Sequence, residues 1–266
     1  MFNNYIGQKK ITLELESISL KLLNNFEGVN ILLRGQAGCG KTLLAKTFLA
    51  NLGEFVYHLP SRINRYELLW NEKISDYKFH FIDEVHTLKH MEVLYPLMDS
   101  KKYIFCFASN EYGELPDAFM SRCFTYFFAE YTSDEISKII FEYAKTKNIY
   151  LEVTLADLFS QYSRNNPRVV KNLFDRVLFI ISRGYYSLSS RGITSALKDI
   201  GIYDGGYTDL DMNYLQTLSN LSVASIDSIC RIMKIDKNTV ANEIEPFLIE
   251  KGHIVISSRG RKFIKW

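Results

Sequence analysis

Gly35-Gln36-Ala37-Gly38-Cys39-Gly40-Lys41-Thr42 fits the spacing Gly-x-x-x-x-Gly-Lys-Thr at every fixed position. The run Val29 to Leu33 before it reads as a strand, and Leu43, Leu44, Ala45, Phe48 and Leu49 after it repeat with helical spacing. Strand, glycine-rich turn and helix start are the setting in which successive backbone N–H groups converge on a triphosphate at a helix N-terminus. In that setting Gly35, Gln36, Ala37, Gly38, Cys39 and Gly40 form the cradle, with Leu43 in the first helical turn. Lys41 reaches the β- and γ-phosphates of ATP and Thr42 holds Mg²⁺. A chance glycine-rich turn also satisfies the bare pattern, but it does not explain the flanking strand and helix.

A second stretch turns a binding loop into a candidate hydrolase. Phe79-His80-Phe81-Ile82 reads as a buried strand ending in Asp83-Glu84, at the carboxyl edge of a sheet, where open α/β folds bind their ligands. Asp83 is the candidate for the Mg²⁺ shell, and Glu84 for orienting and deprotonating the water that attacks the γ-phosphate. Acidic residues also favour the start of a helix for electrostatic reasons, which accounts for two acids but not for their pairing with the glycine-rich octet. His86 reads as a first-turn helix residue with no direct chemistry.

Strand-like runs recur at 30–33, 55–59, 79–82, 103–108 and 125–128, with helical patterns between most of them. This alternation predicts an α/β fold, a mainly parallel five-stranded sheet covered on both faces. Past Tyr131 the period becomes helical: 133–147, opened by Thr132-Ser133-Asp134-Glu135, then 155–162, 167–182 with Pro167 in its first turn, and 193–200. Gly201, Gly205 and Gly206 mark a boundary. Beyond it, helices over 209–218, 226–233 and 237–251 and a basic strand pair, 254–256 and 262–264, describe a winged helix. The expected domains are 1–131, an αβα nucleotide-binding domain; 132–204, a helical lid; and 205–266, the winged helix.

The chain has 266 residues, 47% hydrophobic and 23% charged, with a net charge of +2, too small to imply a nucleic-acid partner by itself. A local patch does imply one: after Glu250 there is no acidic residue, whereas Lys251, Arg259, Arg261, Lys262 and Lys265 are basic. Glu243, Glu245 and Glu250 on the preceding helix oppose base readout, so the expected DNA contacts are to phosphate, through Arg259, Arg261 and Lys262 in the wing. A wing that docks a protein instead remains open on these residues. The four cysteines lack a Cys-x-x-Cys pair, and no apolar run is long enough to span a bilayer, so the expected setting is reducing and cytoplasmic, without a membrane partner.

Three further polar residues stand where chemistry needs them. Arg122, just before the last strand, is a candidate arginine finger reaching the nucleotide of an adjacent subunit. Arg168, in Asn166-Pro167-Arg168, can reach the γ-phosphate of its own subunit and report nucleotide state through the lid. Asn110 ends the strand beside the acidic one and can bond the attacking water; Ser109 is the other candidate, and a turn role is the plain alternative. Each arginine alone is more often a surface ion-pair partner. In sequence order behind the octet and Asp83-Glu84, the functional reading is preferred.

These residues resemble those of the AAA+ ATPases and, among them, the RuvB family of Holliday-junction branch-migration motors. The likeness runs from Tyr5-Ile6-Gly7-Gln8 through the octet, Phe81-Ile82-Asp83-Glu84-Val85-His86, Glu92-Val93-Leu94-Tyr95-Pro96 and Asn166-Pro167-Arg168-Val169 to Glu245-Pro246-Phe247-Leu248-Ile249-Glu250-Lys251-Gly252 and Arg259-Gly260-Arg261. It implies a hexameric ring around DNA with ATP between subunits, and an adenine pocket lined by Ile6 and Gly7 with Tyr131 beside it. Two features depart from the pattern. Only Asp99-Ser100-Lys101-Lys102 stands where that family carries the hairpin that docks RuvA, and Ser121-Arg122-Cys123 and Ala108-Ser109-Asn110 are similar to motifs of sliding-clamp loaders. The expectation is an ATP-hydrolysing DNA motor of replication or recombination. The alternative is a loader or remodeller of a client such as a sliding clamp or replicative helicase.

Overall fold

The computed structural model describes residues 2, 5–24, 27–60, 77–110 and 115–265, which divide into two units. The first comprises the described residues up to Ile139 together with Asn166–Arg168; the second comprises Ile140–Asn165 and those from Val169 onward.

In the first unit α1 (Lys9–Asn24) precedes β1 (Asn30–Arg34), α2 (Lys41–Leu52), β2 (Phe55–His58) and β3 (Phe79–Ile82). Short 3₁₀ turns then lead to α3 (Tyr95–Asp99), β4 (Ile104–Ser109), α4 (Asp117–Met120), β5 (Phe124–Phe127) and the start of α5 (Ser133–Thr146). The five strands form one sheet in the order β2-β3-β4-β1-β5, and every pairing is parallel. β1 and β4 are buried along their whole length, as central strands covered on both faces must be. Side chains alternate between two cores. Ile31, Leu33, Cys106 and Ala108 pack with Leu44, Phe48 and α1 on one face, whereas Leu32, Phe105 and Phe107 pack with Ile82, Leu94 and Phe119 on the other.

α1 was not expected from the sequence. Ile11, Leu15, Ser19 and Leu22 bury one helical stripe, but Leu13, Leu20 and Leu23 stand exposed between them and blur the period. At the other end of the unit, α5 opens on a reciprocal cap: Glu135 N donates to Thr132 Oγ1 (3.2 Å) and Thr132 N to Glu135 Oε2 (3.0 Å).

The β3 core holds a titratable pair. His80 is fully buried, stacks on Phe105 at 5.0 Å, and has Nδ1 3.1 Å from His58 Nε2 and Nε2 3.1 Å from Tyr77 O. Burial, with His58 adding to it, pushes the His80 pKa from 6.5 down to about 4, and burial lowers that of His58 as well. Above the unfolded value both states are neutral and nothing is lost. As pH falls from 6.5 towards 4 the unfolded chain takes up a proton that the folded chain refuses, so stability declines across that window. The expected loss from His80 is on the order of 3 kcal/mol, and His80→Phe should flatten it. Melts of both proteins across this range check the point; parallel pH slopes would refute it.

The second unit holds the rest of α5, then α6 (Val153–Gln161), α7 (Pro167–Ile181) after its first turn, and α8 (Ser190–Asp199). A two-stranded hairpin, β6 (Ile202–Tyr203) and β7 (Tyr207–Thr208), leads into α9 (Asp209–Leu221), β8 (Val223–Ala224) and α10 (Ile226–Met233). α11 (Lys237–Thr239), a π turn (Val240–Ile244) and α12 (Glu245–Glu250) follow, then β9 (Ile254–Ser257) and β10 (Gly260–Phe263). Tyr214, Leu215, Leu218, Ile229, Val240, Ile244, Leu248 and Ile254 form the core of the winged part. Its sheet has the antiparallel order β8-β10-β9; β8, at two residues, is too short to have been read from sequence. The single helix expected over 237–251 is interrupted. Pro246 has no N–H to give to the turn before it, and the backbone widens into the π turn at that point. Among the described residues no helix is long and apolar enough to cross a membrane.

Candidate active site

Because all five strands run the same way, the loops after β1, β3 and β4 meet at one edge of the sheet. Thr42, at the start of α2, donates from Oγ1 to Asp83 Oδ2 at 2.7 Å, and Glu84 N donates to Asp83 Oδ1 at 3.1 Å. The octet and the acidic pair, 41 residues apart for Thr42 and Asp83, are therefore one site. A hydroxyl and a carboxylate side by side are hard oxygen donors of the kind Mg²⁺ accepts, since it takes few protein ligands and completes its shell with phosphate and water.

Lys41 is 5% exposed, and its ammonium donates to Gly35 O (2.7 Å) and Gln36 O (2.9 Å). Burial raises the Cys39 thiol above its ordinary value, so it stays protonated and unreactive inside the loop. Gly38 adopts φ +83°, and a Cβ placed on it would lie 2.6 Å from Asn166 Oδ1 and 2.7 Å from Arg168 Cβ. Asn166 Nδ2 also donates to Ala37 O at 2.9 Å. Arg168 is thus at the loop, and Asn166 holds the loop directly, a role the sequence reading had not assigned.

Glu84 sits in the left-handed region at φ 49°, ψ 47°, a conformation that costs a non-glycine residue about 1–2 kcal/mol and concentrates at functional sites. Its Oε2 is 3.5 Å from His86 Nδ1, which shares a hydrogen bond of 3.1 Å with Ser109 Oγ. His86, expected to be idle, therefore joins the acidic pair to the end of β4. The next residue, Asn110, has a buried Oδ1 without a hydrogen-bond partner among the described residues. Buried polar atoms in folded proteins nearly always have a partner, so an open acceptor at this edge calls for one, and a water or ligand in the site would supply it.

The amino-terminal segment closes the underside of the loop. Tyr131 Oη donates to Cys39 O (2.8 Å), Tyr5 Oη to Gly40 O (3.3 Å), and the two hydroxyls are 3.3 Å apart. Burial raises the pKa of both tyrosines, which keeps them as donors. Gly7, at φ +82°, lies so close to Tyr131 that an added Cβ would be 2.6 Å from its ring. Gln8 exchanges two hydrogen bonds with Ala129 (2.7 and 3.0 Å), which fixes the adjoining Gly7 beside Tyr131. Leu43 is 57% exposed in the first turn of α2. These partners of Tyr5 and Gln8 lie 35 to 126 residues away, out of reach of any local pattern.

Arg122 lies elsewhere. It precedes β5, at the amino edge of the sheet, about 13 Å of strand from the carboxyl edge where the octet stands. Its Nε donates to both oxygens of Asp99 (3.0 and 3.2 Å), Nη1 to Ala118 O (2.6 Å), and the guanidinium faces the Tyr95 ring at 4.6 Å. Asn30 Nδ2 donates to Met98 O (3.3 Å) and Arg122 O (3.0 Å), and Gly28 N to Lys101 O (2.7 Å), so the short turn after α3 is tied down.

In the wing, Arg259 is exposed in the turn between β9 and β10, and Lys262 is exposed on β10. Arg261, expected from sequence to join them, is paired inside the fold. Strand alternation turns it to the face that Phe263 shares, where Nε and Nη2 grip the two oxygens of buried Glu245 at 2.8 and 3.1 Å. Tyr214 donates to the same carboxylate at 2.8 Å. The Glu245 hydrogen bonds raise the arginine pKa further, and the pair ties β10 to α12.

Residues 31–131 match the family described as "ATPase family associated with various cellular activities", and residues 204–265 match the RuvB C-terminal winged helix domain. The chain is a RuvB-like AAA+ ATPase. The RuvB subunit of the Holliday junction branch migration complex from Mycoplasmopsis pulmonis is 26% identical over 292 aligned positions, covering 98% of this chain and 93% of the relative. That of Campylobacter lari is 28% identical, covering 98% and 86%. The RuvB motor of Thermotoga maritima shares the fold with a TM-score of 0.84 at 21% identity, covering 99% of this chain and 94% of that one. The RuvB-like ATPase chain therefore binds nucleotide, and its winged part is of the RuvB type.

Proposed function

We propose that the chain is an Mg²⁺-dependent, ATP-hydrolysing motor that assembles as a ring on DNA and works in recombination in the cytoplasm. The hydrogen bond between Thr42 and Asp83, which joins the octet to the acidic pair, carries this reading. The RuvB-type winged helix over 204–265 supports its direction towards DNA.

In this mechanism the backbone amides of residues 35–40 and Lys41 receive the phosphates, with Lys41 exchanging its loop carbonyls for phosphate oxygens. Thr42 and Asp83 would hold Mg²⁺, which would supply positive charge to offset that of the phosphates. Glu84, steered by His86, orients and deprotonates water; Asn110 offers its open amide oxygen to that water. Ile6, Gly7 and Tyr131 border the base. Arg168 contacts the γ-phosphate in its own subunit, and Arg122 releases Asp99 to reach the neighbour's. Residues 1–131 are the engine, 132–204 the lid and 205–266 the DNA-facing winged helix, with Arg259 and Lys262 on phosphate.

A client-directed loader is the second reading. The tight turn 99–102, fixed by Asn30 and Gly28, stands where the resemblance puts a RuvA-docking hairpin, which favours a different client or none.

Arg122→Ala should lower ATPase turnover by about 10³-fold or more. Mixed with Lys41→Ala, it should regain activity on the order of a quarter of wild type, because intact pockets meet intact fingers at about that share of interfaces in a head-to-tail ring. The measurement is ATPase rate and particle mass with duplex, forked and junction DNA. Absence of rescue, with each variant folded, sinks the shared-site mechanism. Junction migration by the chain alone favours the motor, and its appearance only with a client favours the loader.

A further inference from the structure

Asn166 and Arg168, the two residues at the phosphate loop, follow Arg164 at two and four positions in sequence. Arg164 spends its entire guanidinium on the winged part of the second unit. Nε donates to Gly206 O (2.9 Å) and Nη1 to Glu243 O (3.3 Å), Nη2 pairs with Asp211, and Cζ stands 3.9 Å over the Phe247 ring. These partners come from the hairpin before α9, the first turn of α9, the π turn and α12, so one side chain grips four pieces of the winged fold. Asp211 is 1% exposed and is also the N3 residue of the α9 capping box.

We propose that Arg164 is a positioning residue that passes nucleotide state from the loop-sensing segment to the winged helix. This rests on the ATPase reading above and adds the route by which hydrolysis is felt at the DNA-facing part. The chain between grip and sensor is short and conformationally marked: Arg164 and Asn165 are both left-handed, at φ 51° and 52°. Two successive non-glycine residues in that region form a local arrangement with an alternative close by in backbone space, the right-handed region. A γ-phosphate that re-aims Asn166 and Arg168 pulls on this pair. The next firm anchor upstream is a guanidinium that cannot turn without moving the hairpin at Gly206, the cap of α9 and the ring of Phe247. Arginine rather than lysine is required, because only a planar fork serves two carbonyls, a carboxylate and a ring face at once.

Arg164→Lys keeps the positive charge opposite buried Asp211 and removes the fork. The variant should bind the non-hydrolysable analogue AMP-PNP with Mg²⁺ and hydrolyse ATP without DNA at rates within about twofold of wild type, while stimulation by duplex DNA falls at least about fivefold, the lower end of usual coupling strengths. In wild type, hydrogen exchange at residues 206–211 and 243–247 should differ between the ADP and AMP-PNP states, and in Arg164→Lys the difference should vanish. A general loss of packing would instead raise exchange equally in both states. Full DNA stimulation in the variant, or an unchanged nucleotide dependence of exchange, overturns the proposal. So does a matching fall in nucleotide affinity, which would move Arg164 into the pocket. Should Arg164→Lys not fold, exchange in the wild-type chain decides alone: no nucleotide-dependent change in those two segments is fatal. If wild type binds neither nucleotide, the ATPase reading itself falls and takes this one with it.

Discussion

Lys41→Ala is expected to weaken nucleotide binding by about 10²- to 10⁴-fold, the loss of two charge-assisted hydrogen bonds at about 1.5–3 kcal/mol each. ATPase activity should vanish with it. Because the ammonium also braces Gly35 O and Gln36 O, part of the loss comes from a looser loop rather than from the missing contact. Glu84→Gln separates binding from chemistry. The amide keeps the shape of the side chain and the left-handed backbone beneath it, but it cannot take a proton from water. Nucleotide should therefore bind as in wild type while turnover drops by about 10²- to 10⁴-fold, the range of general-base catalysis. Titration with a fluorescent nucleotide, beside a phosphate-release assay, measures both. Wild-type turnover in Glu84→Gln would remove that carboxylate from the mechanism, and unchanged affinity in Lys41→Ala would remove the octet.

The second large effect is on stability, in the wing. Arg261→Ala leaves Glu245, 2% exposed, with only the Tyr214 hydroxyl among the described residues, and an unpaired buried carboxylate of this kind costs about 3–5 kcal/mol. The melting transition of the winged part should shift down accordingly. Arg261→Met combined with Glu245→Gln should recover most of that loss, since neither partner is then charged. Arg259→Ala and Lys262→Ala should leave the melt within about 0.5 kcal/mol of wild type. Each should weaken DNA binding across all sequences and reduce the salt slope by about 1. Were Arg261→Ala to melt like wild type and lose DNA, the inward orientation of that arginine would be wrong.

What the sequence made legible divides by range. The octet, Asp83-Glu84 and the five strands are local signals, and each element appears within a residue or so of its expected bounds. Arg261 was grouped with Arg259 because both are basic and near a turn. Strand alternation from Phe263 would have turned it inward, but its partner Glu245 belongs to another element and gives no local sign. α1 escaped because apolar residues stand on both its exposed and buried sides, and the π turn before Pro246 because periodicity alone continues through it. The braces around the phosphate loop, Tyr5, Gln8 and Asn166, are set by tertiary approach and carry no spacing of their own.

Arg122 faces away from the cradle of its own chain, and this has a consequence for dosage. If a pocket works only when another copy completes it, total output climbs with more than the first power of concentration, and dilution alone is an off switch. A few scattered copies would stay idle in the presence of ample fuel until a long polyanion gathered them along its length.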